Sequence, residues 1–353
     1  MSSPELIGHE DVLAGLWTAA GAGRLPHALL LHGPRGVGKY RAALRLAAGL
    51  LCEAGPGPPC ERCPACARGR AGSQADLFVL DPTAEELETI PIWRVTPRHD
   101  HPGVETVEAF LSLRAREGGW RVVCLRDFDR AHAAAQNALL KILEEPGEAT
   151  LLVLESSRPR QLLETIRSRC VAVRLEAVGV EATAELLADA GVERADALRL
   201  ARWSEGAPGR AHELLREGAL ETVELLSGVL DGRIAPLTAS ARLQEAGGEF
   251  PGATDAARAR SKARAAVVCA LELARDLQRF EHGVEPADLA HGAALAARGR
   301  VGARPVARAV DALLRARQDV EANLSPPGIL DRTALALARV NAARRGTTEG
   351  VAR

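Results

Sequence analysis

The segment GPRGVGKY, Gly33 to Tyr40, constrains this chain more than any other, because it falls one residue short of the phosphate-binding pattern GxxxxGK[ST]. In that pattern backbone N–H groups and a helix N-terminus cradle phosphates, the lysine reaches the outer phosphates, and the last hydroxyl ligates Mg²⁺. Gly33, Gly38 and Lys39 fill their places, with Gly36 between them, and Tyr40 stands where the small hydroxyl belongs. A phenol oxygen at the end of a rigid ring sits too far from the backbone to complete a tight octahedral Mg²⁺ shell. The expectation is a degenerate nucleotide site at which ATP or ADP binding is open and Mg²⁺ is not expected.

Such a loop needs a strand before it and a helix after it. HALLLHG, from His27, reads as a short apolar strand, and YRAALRLAAGLL as an Ala/Leu-rich amphipathic helix. Among 45 Lys and Arg residues only Lys39, Lys141 and Lys262 are lysines, so a lysine kept in this loop points to a need for a compact ammonium.

Cysteines supply the second signal. Cys60, Cys63 and Cys66 form C-x₂-C-x₂-C, and seven Gly- and Pro-rich residues separate them from Cys52, which leaves that loop free to fold back. In a reducing compartment four clustered thiols suit structural, tetrahedral Zn²⁺ better than disulfides, and four protein ligands leave no position for catalytic water. A nucleic-acid knuckle is the rival, with only Arg62, Arg68 and Arg70 nearby and no aromatic to stack a base. Cys124, Cys170 and Cys269 lie in or beside apolar runs and read as buried small hydrophobes.

At 353 residues the chain exceeds one ordinary core, and its Ala, Leu and Arg content favours helices. A net charge of −1 argues against a broad surface that grips DNA unaided. No apolar run approaches the roughly 18 residues of a membrane span, and MSSPELIGHEDVL lacks the basic and apolar regions of a secretory leader, so a cytoplasmic address is expected. Downstream, WRVVCLRDFDRA places a strand at Val122 to Leu125 before acidic residues. The helix AHAAAQNALLKILEEP stops at Glu145, ATLLVLESS forms another strand, and RPRQLLETIRSRCVAVRLEA a short helix, turn and last strand. Strands alternating with helices over residues 1–177 predict an α/β P-loop domain with a parallel sheet and helices on both faces. PTAEELETIPIWRVTPRHDHPGVETV reads as a surface excursion whose histidines match no ligand spacing, and the tail RRGTTEGVAR as polar and frayed.

LPHALLLHGPRGVGK, the cysteine cluster, NALLKILEEP and SRC occur in an order and at spacings that resemble the AAA+ subunits of the bacterial DNA polymerase III clamp loader. The resemblance implies three parts: an AAA+ domain at 1–177 with an inserted zinc module at 52–66, a small helical lid at 178–218, and an all-α collar domain at 219–353 through which subunits assemble. That family contains ATP-hydrolysing motors and a delta-prime branch that usually does not hydrolyse. Tyr40 is one departure from the motors. Aligned on NALLK, Arg126 matches the metal-binding aspartate and Asp127 the catalytic glutamate; a shifted register makes Asp127 the metal partner and leaves Tyr40 unchanged. Both departures favour the delta-prime branch. The resemblance makes Arg169 of SRC the arginine that reaches ATP on a neighbouring motor (gamma/tau) subunit, and Arg210 of GAPGRAHELL a second sensor arginine or, alternatively, a helical salt-bridge residue. Partners implied are the motor and delta subunits and, through the complex, the sliding clamp and primed DNA. An active motor, and a zinc-containing nucleic-acid-binding protein with a relic loop, are the alternatives.

Overall fold

The computed structural model describes residues 6–116, 119–252 and 254–351, with the side chains of 293 and 343–351 outside that description. The chain divides into two compact units, Met1–Val178 and Gly179–Arg353.

In the first unit the strands are β1 (Ala28–His32), β2 (Leu77–Leu80), β3 (Arg121–Leu125), β4 (Thr150–Ser156) and β5 (Val171–Arg174). All pair in parallel, in the order β2-β3-β4-β1-β5. Side chains alternate across a strand, so two apolar rows are needed when both faces are covered. Leu30, Leu80, Val123, Leu125, Leu152 and Leu154 supply one row, packed with Val107 and Phe110 of α4 (Val107–Leu111) and with Leu139 and Leu143 of α5 (Ala133–Glu144). The intervening residues Leu29, Leu31, Val122, Cys124, Leu151 and Val153 are equally buried and supply the other. Helix α2 (Lys39–Leu50), the helix after the loop, lies against β1, β3 and β4. The parallel sheet with flanking helices expected from the alternating pattern is therefore present. It carries the carboxyl ends of its strands, where ligands of open α/β sheets bind, to one edge.

Helix α1 (Glu10–Gly21) packs on α2 through Trp17, whose indole N–H donates to the Leu46 carbonyl at 3.3 Å. Gly49 of α2 makes this approach possible: a Cβ there would collide with the Trp17 ring and with the Gly57 carbonyl. Gly57 belongs to the Gly/Pro loop between Cys52 and Cys60, so the loop folds back onto α2. Helix α3 (Pro64–Ala71) completes the cysteine segment, with Cys63 as its N-cap. The segment between β2 and β3 is more than a surface excursion. Its Ile90, Val95, Val107 and Phe110 are buried in the core, and His101 stacks on Trp93 with centroids 4.5 Å apart. A short helix α6 (Glu164–Arg167) precedes the edge strand β5, whose Val171 is half exposed.

The second unit is helical, with α7 (Val180–Asp189), α8 (Arg194–Trp203), α9 (Pro208–Arg216), α10 (Ala219–Leu230), α11 (Pro236–Glu245), α12 (Asp255–Glu281), α13 (Gly292–Arg298), α14 (Ala303–Glu321) and α15 (Pro326–Val351). One core runs from Leu187 to Val340. The long α12 contacts α10, α14 and α15 and buries Val267, Cys269, Leu273 and Leu277 at helical spacing. The polar tail, expected to fray, continues α15 to Val351; residues 352 and 353 lie outside the described residues. Among the described residues no helix is long and apolar enough to cross a membrane.

Candidate functional site: a phosphate-type loop and a four-cysteine cluster

Gly33 turns the chain out of β1 with φ 150°, and a Cβ there would strike the Leu175 carbonyl beyond β5. Gly36 and Gly38 have φ of 81° and 101°, the second as N-cap of α2, so the loop has the positive-φ glycines that let backbone N–H groups turn inward. Lys39 opens the helix and is almost wholly buried. Its Nζ donates to the Pro34 carbonyl at 2.8 Å, Ser157 Oγ at 2.9 Å and the Gly33 carbonyl at 3.2 Å, and lies 3.8 Å from Glu155 Oε1. Burial lowers the pKa of Lys39, while Glu155, Asp127 and Asp129 act to raise it. His9 pairs with the Val37 carbonyl at 2.9 Å, which ties the start of α1 to the loop.

Next to the loop, Arg126 follows β3 and donates from Nη1 to Asp81 Oδ2 at 2.7 Å; its guanidinium lies 4.8 Å from the centre of the Tyr40 ring. Burial, then the Asp81 charge, push the Tyr40 phenol up to about 12, so it stays protonated. Burial disfavours the Arg126 charge, and the Asp81 hydrogen bond and charge more than offset this. Asp127 takes a left-handed conformation with φ 47°, and Asp129 accepts from the Ser157 N–H at 3.2 Å and from Arg158 Nε at 3.0 Å. A permanent cation, a protonated phenol and a carboxylate committed to that cation thus lie together beside the loop.

Glu155 closes β4 beside Leu31 of β1 and is buried. Burial pushes its carboxyl up to about 7 from an ordinary 4.5, against the pull of Lys39. A folded-state pKa above the unfolded one means that the folded chain holds the extra proton between these values. Stability from this group is full below about 4.5 and is lost as pH rises through about 7. Relative to Glu155→Gln, the wild type is expected to lose roughly 2–3 kcal/mol between about pH 5 and pH 8, read by urea unfolding. An unchanged difference between the two chains would remove Glu155 as a titrating group.

The remaining expected residues lie apart from this loop or are already engaged. Arg169 donates from Nη2 to Glu144 Oε1 at 2.6 Å and from Nη1 to the Thr165 carbonyl at 3.1 Å, with about a third of its side chain exposed. Ser168 Oγ donates to the Thr165 carbonyl, and Ser156 Oγ accepts from the Arg158 N–H, both structural contacts. In the second unit Arg210 pairs with Glu213 at 3.2 Å and Glu217 at 3.6 Å, the helical salt bridge of the alternative reading. Cys124, Cys170 and Cys269 are buried, and burial raises each thiol pKa, so none is an activated nucleophile.

The four sulfurs of Cys52, Cys60, Cys63 and Cys66 all lie within 4.8 Å of one another, with Cys52 and Cys63 Sγ 4.0 Å apart. A tetrahedron of sulfurs about 2.3 Å from a zinc ion has edges of about 3.8 Å, so the cluster fits that ion closely. Backbone N–H groups of Cys60 and Cys66 point at the sulfurs of Cys52 and Cys63, each at 3.4 Å. The N–H groups of Arg62 and Cys63 bring Cys60 down to about 6, and those of Cys66 and Glu53 lower Cys63; burial holds Cys66 up at about 12. The donor set is soft, and backbone N–H groups favour the thiolate form at Cys60 and Cys63.

Residues 8–179, which are nearly the whole first unit, match the model of the family described as DNA polymerase III, delta subunit. A DNA polymerase III subunit delta′ of Pseudomonas aeruginosa is 41% identical over 229 residues, 62% of this chain and 66% of that protein. The first unit therefore belongs to that DNA polymerase III subunit family. The delta′ subunit of Bacillus subtilis is 31% identical over 57% of this chain and 61% of its own length. The gamma/tau subunit of Mycobacterium tuberculosis is 34% identical over 48% of this chain and 27% of its own. The matches thus span less than two thirds of the length of these relatives. Within the first unit, sequence reasoning found the loop, the cysteines and Arg126, and missed Glu155 and Asp81, the acids that pair with the two cations. The one available signal was an acid ending an apolar strand, in LLVLES and LFVLD.

Proposed function

We propose that this chain is a delta-prime-like subunit of a DNA polymerase III clamp loader, working in the cytoplasm. In this reading it does not hydrolyse ATP itself and gives Arg169 to the ATP site of a neighbouring gamma/tau-type motor. The complex, with a delta subunit, places a sliding clamp on primed DNA. The observation that carries this reading is the Arg126–Asp81 pair over Tyr40, which puts a fixed positive charge where hydrolysis needs Mg²⁺. A guanidinium cannot ligate a cation, and repulsion between them grows in a partly buried setting. Arg169 supports the second half, since about a third of its side chain is exposed on the first unit and it makes its contacts with Glu144 and Thr165 rather than with this chain's own loop. We assign residues 178–218 to a lid and 219–353 to an assembly collar, and the four cysteines to a structural zinc that ties the loop before α3 to α2.

The chain alone, assayed with ATP and Mg²⁺, is expected to show no turnover above a Lys39→Ala control. Turnover that vanishes with Lys39 would reassign it as a motor, in which Tyr40 and Arg126 are tolerated.

A further inference from the structure

Lys39 is the residue through which a loop of this type holds outer phosphates. Here each of its three ammonium protons has a protein acceptor: the carbonyls of Gly33 and Pro34, and Ser157 Oγ. Facing it is Glu155, more than nine-tenths buried, with Oε1 3.8 Å from Nζ and with Oε2 lacking any hydrogen-bond partner among the described residues. Leaving a carboxylate oxygen buried and unpaired costs free energy, and its neighbours on the same face of the sheet, Leu31 across from it and Val153 two residues before it, show that an apolar residue suits this position. The acid is therefore not explained by packing. It is explained by Lys39, whose buried charge needs an anion when no phosphate is present.

We propose that Glu155 is a built-in counter-anion that stands in for phosphate at Lys39, so that this carboxylate sets the loop's affinity for nucleoside di- and triphosphates. The surrounding charges work in the same direction. Asp127 and Asp129 act on the Lys39 charge, Asp127 and Asp81 act on Glu155, and Arg126 is committed to Asp81. An incoming phosphate must displace the lysine from its acceptors and approach a site already supplied with negative charge. Tyr40 bears on the metal and Glu155 on the phosphate, so the two defects are separable. The inference goes beyond the role given to Arg169 and involves no partner, so either can fail without the other.

The experiment is equilibrium binding of a fluorescent ADP to the full chain without added Mg²⁺ and without chelator, which leaves the four-cysteine cluster undisturbed, at about pH 8, above the value of about 7 to which burial pushes Glu155. Glu155→Gln keeps the volume and removes the charge; it is expected to bind about tenfold tighter or better, the size of effect that removing one near like charge produces. Glu155→Gln with Lys39→Ala should lose the gain. Glu155→Ala, which opens space as well, is a second arm, and melting curves verify that each variant is folded. A folded Glu155→Gln chain that binds ADP no tighter than wild type overturns the proposal, as does a gain that survives loss of Lys39.

Discussion

Arg169→Ala, in a complex reconstituted with motor subunits, is expected to slow ATP cleavage at the neighbouring site to which we have proposed that Arg169 is given, by roughly 10³-fold or more. An arginine supplied in trans contributes about 10³ to 10⁵ in rate by stabilising charge on the transferred phosphoryl group. The contacts that hold Arg169 in the isolated chain do not oppose such a role. Its partner Glu144 is half exposed and Arg169 itself about a third, so the 2.6 Å ion pair is screened by water. Pairs of this kind contribute about 0.2–1 kcal/mol, far less than the roughly 4 kcal/mol or more that the rate effect represents. Glu144 can therefore hold the guanidinium in place between encounters and release it. Single-turnover hydrolysis is the right measurement, because sites completed by other subunits continue to turn over and dilute a steady-state rate. Arg169→Lys tests the geometry: it retains charge but loses the planar fork, and should recover little of the rate. Full single-turnover amplitude and rate with Arg169→Ala would end the assignment.

Why the loop was legible in the sequence and the pairing of Glu155 with Lys39 was not has a physical answer. The loop is a local object: Gly33, Gly36, Gly38 and Lys39 lie within seven residues, and the flanking strand and helix announce themselves by composition. The cysteines are local too. The charge pairs are made by strand order. Asp81 ends β2 and Arg126 follows β3, and they meet because β2 and β3 are neighbours; Glu155 ends β4 and reaches Lys39 because β4 lies beside β1. Nothing in LFVLD or LLVLES states which strand will be adjacent, since parallel neighbours are joined by crossovers and share no turn. The same reasoning applies to PTAEELETIPIWRVTPRHDHPGVETV. Its polar surface residues dominate the pattern, while Ile90, Val95 and Val107 reach the core at irregular spacing that no helix or strand period reveals.

The cysteine cluster carries the other large effect. Chain purified without chelator is expected to hold one zinc per molecule, and Cys60→Ser with Cys63→Ser to hold none. Structural zinc sites bind with apparent free energies of about 10–16 kcal/mol in small zinc-finger peptides, where folding and binding are one event. Here the ligands lie on an insertion to a unit that has its own sheet and core, so global stability should change much less than metal affinity. The loss should concentrate where the ion would hold the chain: the Gly/Pro loop against Gly49 and Trp17, and the N-cap of α3 at Cys63. Hydrogen exchange over residues 51–72 is expected to accelerate strongly in the double variant while β1, β3 and β4 keep their protection. Cys66 sharpens the test. Burial holds its thiol at about 12, whereas Cys60 lies near 6, so without a metal this residue stays protonated at neutral pH. Uptake of zinc should therefore release a proton from the buried Cys66 and little from Cys60, measurable as a buffer-dependent heat. Cobalt offers an independent reading, since four sulfurs within 4.8 Å should give the intense visible bands of a tetrahedral thiolate site. Metal-free chain with unchanged exchange in the double variant would leave the four thiols as packing groups and remove zinc from the fold.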